Sequence, residues 1–361
     1  MDVKICNSQS AKRDENFSGT GQQSAEVEHI LVSEQDAGMR VDRFLHGRFP
    51  SVPYSFLHRL LRTGQVRVNG KRVQGGGRLC VGDRLRLPPV RWQSDSLPSS
   101  RPLYPPDGMV RAVRERILWR DEALLVMNKA SGMAVHGGSG ETWGAIDAMR
   151  RLLQWEESPL QPELCHRLDK DTSGCLLFAL TPFALRSMAE AFRHGKVEKR
   201  YLALVRGVVA KDEGVIDLPL SKGVVKGGER IVVSSSHGAA ATTRFQVKQR
   251  FANATLLEIV LESGRTHQIR VHLQAIGHPV AGDRKYGDAA FDQRMAKIGL
   301  HRLFLHAWKL SFRHPQSAAV IALSAPLEEK LQQFINQLTP LAIAQQPRAE
   351  SKKLLARKEG D

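Results

Sequence analysis

The stretch HRLDKDTSG (residues 166–174) runs directly into the apolar segment CLLFAL (175–180). A short apolar run after Ser-Gly predicts a buried strand, so the charged cluster stands where the chain enters the core. Asp169 is flanked by Arg167 and Lys170, and nearby positive charge favours the ionised form of a carboxylate. A positioned carboxylate can act as a nucleophile or as an electrostatic stabiliser. The alternative is a salt-bridged turn that only caps the strand.

The motif HRLD, which ends at Asp169, resembles the signature loop of the RluA-type pseudouridine synthases, whose catalytic aspartate ends this motif. Three further segments extend the resemblance over most of residues 29–335: NKASG with VHGGSG (128–140), KRYLALVRG (199–207) and GRTHQIRVHL (264–273). Relatives usually have proline where Ala130 stands, a change that removes no reactive group. The resemblance implies the pseudouridine synthase fold and the isomerisation of selected uridines in 23S ribosomal RNA, with no cofactor and no metal.

The charge of the chain is strongly positive, because 53 Lys and Arg oppose 37 Asp and Glu over 361 residues, a net charge of +16. Residues 39–87 alone hold ten Arg and one Lys against two Asp, a net charge of +9. Such an excess indicates a polyanionic partner, either nucleic acid or an anionic membrane. Arginine suits phosphate through its bidentate fork, and no single basic amphipathic helix points to a membrane surface.

This basic segment has the pattern of a small folded domain. Apolar residues recur at helical spacing in 41–45 and 57–61, and Asn69-Gly70 marks a hairpin between two alternating segments. Two helices and a basic hairpin resemble the S4 RNA-binding domain, although an ordinary solvated α+β domain is the alternative. The resemblance implies phosphate contacts, which we expect from Arg40, Arg43, Arg59, Arg62, Arg67, Lys71 and Arg72.

The pattern along the chain predicts an α+β protein with two domains. The small S4-like domain spans residues 29–92, and a larger pseudouridine synthase domain with a mixed, mainly antiparallel sheet flanked by helices spans 113–338. The stretch 93–112 is rich in proline and serine and predicts a linker without helix or strand. The polar ends, 1–28 and 339–361, are predicted to be disordered tails.

The segment 264–276 predicts a helix with two different faces. Ile269 and Leu273 fall on its apolar face. Arg270 falls on the opposite face together with His267, so it leaves the core side and can meet a carboxylate. The residues alone therefore make Arg270 a candidate partner for an acidic group.

Tyr201 stands in the predicted strand 199–205, where an aromatic ring can stack on a base or simply fill the core. The resemblance decides between these interpretations, since it implies that this tyrosine contacts the target base. It further implies that Asp169 is the nucleophile and that Arg270 pairs with it. The substrate-binding residues that it implies are His166, Arg167, Arg265, His267 and Ile269.

Other classes of protein lack their motifs here. The four cysteines are widely spaced with no CxxC pair, and no HExxH occurs, so we expect neither a disulfide framework nor a zinc site. GxSxG and GxxxxGK[ST] are absent, and the glycines near 137–140 lack GxGxxG spacing. No apolar run is long enough for a bilayer span, and no secretion signal precedes the first domain. We therefore expect a cytoplasmic protein. We also expect it to be a monomer.

The expected partner is 23S ribosomal RNA, bound before or during subunit assembly. Two other functions are compatible with the same residues: a non-catalytic S4-type RNA-binding factor in ribosome assembly or translation, and a pseudouridine synthase that acts on a different RNA. Convergence of Asp169, Tyr201 and Arg270 in one pocket would separate the enzyme from the binding factor.

Overall fold

The computed structural model describes residues 27–34, 36–49, 52, 54–89, 104–137, 141–226 and 229–342. The chain divides into two compact units, Met1–Arg101 and Pro102–Asp361. This division falls inside the stretch that is rich in proline and serine. Residues 1–26 of the predicted N-terminal tail and 343–361 of the predicted C-terminal tail lie outside the described residues.

The first unit combines two helices with a small antiparallel sheet in the strand order β1-β4-β2-β3. Its elements are β1 (Glu28–Leu31), α1 (Val41–Arg48), α2 (Tyr54–Arg62), β2 (Arg67–Val68), β3 (Lys71–Arg72) and β4 (Arg84–Leu87). The predicted hairpin is present, since Asn69 and Gly70 both have positive φ, 51° and 76°, as a tight two-residue turn between right-twisted strands requires. Buried apolar residues of both helices pack against β4 in one core.

The second unit is built on one mixed sheet that is flanked by helices. Its helices are α3 (Asp107–Arg114), α4 (Ala145–Trp155), α5 (Pro182–Arg193), α6 (Gln268–Ala275), α7 (Ala289–Lys297) and α8 (Glu329–Gln337). Its strands are β5 (Ile117–Arg120), β6 (Leu124–Lys129), β7 (Glu163–Leu164), β8 (Ser173–Ala179), β9 (Glu198–Arg206), β10 (Glu213–Asp217), β11 (Leu220–Lys226), β12 (Glu229–Ser234), β13 (Thr242–Arg250), β14 (Ala254–Leu261), β15 (Leu305–Arg313) and β16 (Val320–Ser324).

The sheet has the strand order β10-β13-β14-β9-β15-β8-β6-β5, with β16 paired to β15 and β7 paired to β8. Its centre joins two antiparallel halves through a short parallel contact between β15 and β8. Strands β11 and β12 form a separate hairpin. The predicted α+β class with a mixed, mainly antiparallel sheet is therefore confirmed.

Both faces of the central strands are buried, because helices cover the sheet on each side. Along β6, Leu125 and Met127 face a core shared with α3, α4 and α6, whereas Leu124 and Val126 face a core shared with α5. Alternation of side chains along a strand explains why the sequence of such a strand is a continuous apolar run. The same rule puts Tyr201 on the α6 side of β9.

The stretch 93–112 was predicted to contain no helix or strand. This prediction is wrong from Asp107 onward, where a helix begins. Helix α3 begins at Asp107, directly after Pro106. Proline is tolerated there because the first main-chain N–H groups of a helix have no partner within it. Val110 and Val113 are fully buried and pack on the same core as α4, which stabilises this short helix in spite of the preceding prolines.

The predicted N-terminal tail ends slightly too late in the chain, and the predicted C-terminal tail begins slightly too early. Glu28 already pairs with Leu87 in the first sheet. At the other end, the Thr339 carbonyl accepts the Ala252 N–H at 3.1 Å, and the Leu341 N–H donates to the Arg250 carbonyl at 3.0 Å. Main-chain pairing with a neighbouring strand orders these polar residues, which no apolar pattern marks.

Candidate active site

Asp169 lies in the loop that leads from β7 into β8. The loop closes with a turn in which the Thr172 N–H donates to the Asp169 carbonyl at 3.1 Å, and β8 begins at Ser173 with its residues buried. Gly174 has φ +110°, and a Cβ at this position would lie 2.2 Å from the Ala307 carbonyl oxygen. Only glycine permits this approach, so Gly174 allows the loop to lie against β15.

A buried lysine holds the same loop from inside the protein. The Nζ of Lys129, a fully buried side chain, donates to the carbonyls of Ala130, Met133 and Lys170 at 2.8–2.9 Å. Burial lowers the pKa of this amine to about 7, but the ammonium form supplies the three N–H donors that the three carbonyls accept. The sequence did not indicate Lys129, whose only signal is a charge at the end of an apolar strand.

Arg270 of α6 connects Asp169 to a second, buried carboxylate. Its Nη1 donates to Asp169 Oδ2 at 3.2 Å, while Nε and Nη2 both donate to Asp283 at 2.7 Å. Burial alone would lower the pKa of Arg270, but the hydrogen bonds and negative charge of Asp283, with the charge of Asp169, raise it. The guanidinium is therefore charged and held in one orientation. The sequence did not indicate Asp283.

The carboxylate of Asp283 is fully buried and stays ionised through its partners. Burial would raise its pKa, but hydrogen bonds from Arg270 and from the main-chain N–H groups of Lys285 and Tyr286, both at 3.0 Å, lower it below its usual range. A turn just before α7 thus sets the position of the arginine that faces Asp169.

His267 stands directly before α6 and reaches the same carboxylate. Its Nε2 lies 3.8 Å from Asp169 Oδ2, and its Nδ1 lies 2.8 Å from the hydroxyl of Tyr286. Burial lowers the pKa of His267, partly opposed by the charge of Asp169. A neutral imidazole next to a charged guanidinium therefore faces Asp169.

Tyr201 of β9 completes the arrangement from the sheet. It is paired with Ile259 of β14 and with Ala307 of β15, and its side chain is buried. Burial raises the pKa of the phenol, and the charge of Asp169 raises it further. The hydroxyl is therefore protonated at neutral pH and can donate a hydrogen bond.

Asp169, Tyr201, His267 and Arg270 line one cleft of about 400 Å³. Three parts of the chain form its wall: the loop 165–169, the segment 264–270, and residues of α5 and β9 that include Arg193 and Lys199. Asp169 is the one carboxylate among the described lining residues, whereas five arginines and lysines line the same cleft. Such a composition favours an anionic ligand around a single reactive carboxylate.

The predicted substrate-binding residues also line this cleft, but they have different contacts. Arg167 and Arg265 are exposed, whereas Ile269 is buried in the core. His166 Nε2 accepts the Leu177 N–H of β8 at 3.1 Å, and its ring packs on Phe192. Burial lowers the pKa of His166 to about 4, so the neutral ring keeps this acceptor.

The seven predicted phosphate-binding residues are all exposed on the first unit. Some of these side chains also form hydrogen bonds within the first unit. Arg40 makes a bidentate contact with the buried Asp42, and Arg67 and Arg72 donate to main-chain carbonyls of their own unit. These contacts orient side chains that still reach solvent.

The described ranges contain no cluster of three or more His, Cys, Asp or Glu that could hold a metal ion. Within the same ranges, no helix is both long and apolar enough to cross a membrane.

Comparison with known proteins identifies the class of this fold and cleft. A family model described as RNA pseudouridylate synthase matches residues 123–275. Human RNA pseudouridylate synthase domain containing 4 is a solved structure with a TM-score of 0.54 and 27% identity, covering 64% of this chain and 95% of that one. A second human structure, RNA pseudouridylate synthase domain containing 1, has a TM-score of 0.51 and 26% identity over 63% of this chain and 88% of its own.

Curated relatives match nearly the full length. Ribosomal large subunit pseudouridine synthase C of Pasteurella multocida (strain Pm70) is 44% identical over 86% of this chain and 94% of that protein. The protein of the same name from Escherichia coli (strain K12) is 43% identical over 86% of this chain and 97% of its own. The chain therefore belongs to the RNA pseudouridine synthase family, the isomerases that form pseudouridine in RNA. The resemblance of the HRLD motif and its companion segments to this family is confirmed, whereas the resemblance of the first unit to the S4 domain stays a prediction.

Proposed function

We propose that this protein converts selected uridines of 23S ribosomal RNA to pseudouridine, with Asp169 as the nucleophile. The observation that carries the proposal is the convergence of Asp169, Tyr201 and Arg270 in one cationic cleft. A non-catalytic RNA-binding protein has no need of a carboxylate oriented by a buried arginine. The choice of ribosomal RNA is supported by relatives whose names describe them as pseudouridine synthases of the ribosomal large subunit.

The reaction rearranges one nucleotide and needs no second substrate. The bond between N1 of uracil and C1′ of ribose breaks, and a bond from C5 to C1′ forms. C5 loses a proton and N1 gains one, so that substrate and product have the same composition. The target base must leave its stack to enter the cleft, which costs a few kcal/mol and costs least in loops or single strands.

Each residue of the cleft has a role that follows from its contacts. Arg270 holds the Asp169 carboxylate by a charge-assisted hydrogen bond. The Tyr201 ring offers a flat apolar face to the uracil, and its protonated hydroxyl can exchange a proton near the base. Arg167 is exposed at the cleft, where its charge can hold the displaced nucleotide by a phosphate contact.

The first unit, in this proposal, is an S4-like module that adds affinity for RNA. Its exposed arginines support phosphate contacts, which position a protein on RNA without reading the bases. The proposal takes the protein to act as a monomer. Ribosomal RNA as the substrate supports a cytoplasmic site of action, before or during subunit assembly.

The decisive experiment replaces the nucleophile in the full-length protein. Asp169→Asn is nearly isosteric but a far poorer nucleophile, so purified Asp169→Asn should form no pseudouridine in 23S RNA while it keeps its fold and RNA affinity. Asp171→Asn is the matched control, since this exposed carboxylate stands in the same loop. Turnover by Asp169→Asn near the wild-type rate would end the assignment.

Mapping of pseudouridine in total RNA from cells with and without the protein tests the substrate. Missing modifications confined to 23S RNA support the proposal. Losses confined to another RNA would assign a different substrate, and unchanged modification everywhere would favour a binding factor.

The role of the first unit is tested by neutralising Arg59, Arg62 and Lys71 to glutamine in the full chain. Each lost phosphate contact should lower the slope of log affinity against log salt concentration by roughly 0.7–0.9. We expect weaker binding with a shallower salt dependence and an unchanged chemical step at saturating enzyme. An unchanged salt slope would show that these side chains do not touch RNA.

A further inference from the structure

A continuous series of contacts leads from the hairpin β11–β12 to Asp169. The Val232 N–H of β12 donates to the Tyr286 hydroxyl oxygen at 2.9 Å. That hydroxyl lies 2.8 Å from His267 Nδ1, and His267 Nε2 lies 3.8 Å from Asp169 Oδ2. We name Tyr286 and His267 the relay.

The hydrogen bonds of Tyr286 determine which nitrogen of His267 carries the hydrogen. Val232 N–H is a donor, so the Tyr286 oxygen accepts from it. The phenol O–H then needs an acceptor, and among the described residues the other partner of this hydroxyl is His267 Nδ1. A neutral imidazole that accepts at Nδ1 carries its hydrogen on Nε2. The relay therefore presents an N–H to Asp169.

The backbone before α6 holds the imidazole in this place. His267 has φ 54° and ψ 18°, the left-handed conformation, and its carbonyl accepts the Val271 N–H at 3.0 Å. Its ring meets the Tyr286 ring edge to face, with centroids 5.4 Å apart. A strained conformation of a non-glycine residue that points into a cleft is typical of a functional position.

Tyr286 is also fixed by its other neighbours. Its ring is 95% buried in a cluster with Leu220, Val232 and Val271, and the Arg270 guanidinium lies 4.9 Å from the ring centroid. Docking of the hairpin on α6 thus determines where the Tyr286 hydroxyl stands. One side chain contacts both the hairpin and the two groups that face Asp169.

We propose that Tyr286 and His267 are positioning residues for Asp169: Tyr286 fixes the tautomer of His267, whose Nε2–H then orients the carboxylate together with Arg270. The Arg270 hydrogen bond and the 3.8 Å approach of His267 Nε2 are both to Oδ2. At 3.8 Å the His267 contact is longer than a hydrogen bond, and catalytic hydrogen bonds that are long without substrate often tighten when substrate binds. The inference deepens the proposed function and rests on Asp169 as the nucleophile.

Two amide substitutions of His267 distinguish the contribution of Nε2 from that of Nδ1. The amide nitrogen of His267→Gln can reach the position of Nε2, whereas that of His267→Asn reaches only the position of Nδ1. Asn tolerates the left-handed conformation better than Gln. A higher kcat for His267→Gln than for His267→Asn therefore cannot arise from relief of backbone strain. We expect His267→Asn to lower kcat by roughly 10- to 100-fold, as misplacement of a reacting group does, and His267→Gln to restore most of it, with KM for RNA little changed.

Tyr286→Phe tests whether the tyrosine acts through the histidine. In the otherwise wild-type chain it should lower kcat by roughly tenfold, whereas added to His267→Gln it should lower kcat little further, because the tautomer no longer matters. Tyr104→Phe is the control, since that ring is exposed and lies far from the cleft residues in sequence. All rates are measured well below the thermal midpoint of each variant, which removes effects of unfolding.

Three results would overturn the relay. Equal loss in His267→Asn and His267→Gln would mean that no donor at Nε2 is needed. Equal loss from Tyr286→Phe in both backgrounds would mean that Tyr286 acts independently of His267. Wild-type kcat in His267→Asn, with an inactive Asp169→Asn, would refute the relay and leave the proposed function intact, whereas an active Asp169→Asn would refute the proposed function itself.

Discussion

The contact between Arg270 and Asp283 permits a quantitative prediction for Asp283→Asn. The asparagine can still accept the N–H groups of Lys285 and Tyr286 through its carbonyl oxygen. Its NH₂ group, however, replaces the oxygen that accepts Arg270 Nε at 2.7 Å, so that two donors face each other. The buried guanidinium also loses the one counter-charge that is fully buried beside it.

The cost follows from the burial of this pair. Removing one partner of a buried ion pair costs about 3–5 kcal/mol. We expect a loss near the lower limit, about 3 kcal/mol, because Asp169 remains as a counter-charge and two main-chain hydrogen bonds persist. For a domain of this size, that corresponds to a fall in Tm of roughly 6–12 °C. Activity should fall as well, since Arg270 loses the contact that orients it.

Differential scanning calorimetry of the full chain measures this change, with attention to the transition of the second unit. Glu163→Gln is the matched control: Glu163 also pairs with an arginine, Arg150, at 3.1 Å, but the two side chains are 41% and 39% exposed. Exposed ion pairs contribute about 0–1 kcal/mol, so the control should unfold within a few degrees of the wild type. An Asp283→Asn protein as stable as this control would refute the reasoning about the buried pair.

Three other perturbations test the loop and its supports. Gly174→Ala should prevent the native approach of the loop to Ala307 and destroy activity along with stability, which thermal unfolding and single-turnover assays would reveal. Lys129→Met leaves three carbonyls without a donor and should reduce the free energy of unfolding by about 3 kcal/mol or more, measured by urea titration. The pKa of His166 is about 4 in the folded protein against 6.5 ordinarily, so below pH 6.5 the unfolded chain binds more protons. Stability should therefore fall between pH 6.5 and pH 4, and His166→Asn should weaken this dependence if the ring is the cause.

The sequence predicted well those features that depend on near neighbours in the chain. The apolar run 175–180 marked β8, and the segment 199–205 marked β9. Thr181 followed by Pro182 has the residue types of a helix start, and in the structure the Thr181 hydroxyl accepts the Ala184 N–H at 3.1 Å at the beginning of α5. Asn69-Gly70 marked a hairpin. Caps, turns and burial patterns are set within a few residues, so they can be recognised before any tertiary contact is known.

The motif HRLD and the face of α6 that carries Arg270 likewise pointed to one site. In the folded chain the two side chains meet although 101 residues separate them. Family resemblance supplied that pairing in advance, whereas helical spacing alone indicated only that Arg270 leaves the core.

Tertiary structure alone decided how the site is supported. Asp283, Tyr286 and Lys129 carry no local pattern that separates them from solvated charges or core aromatics, and their partners lie on other elements. The helical start at Asp107, inside a predicted linker, depends in the same way on burial against α4. A sequence pattern records which residues prefer the interior and which turns the backbone can make. The partner of a buried charge depends on strand order and helix docking, because only a complete set of hydrogen bonds makes its burial favourable.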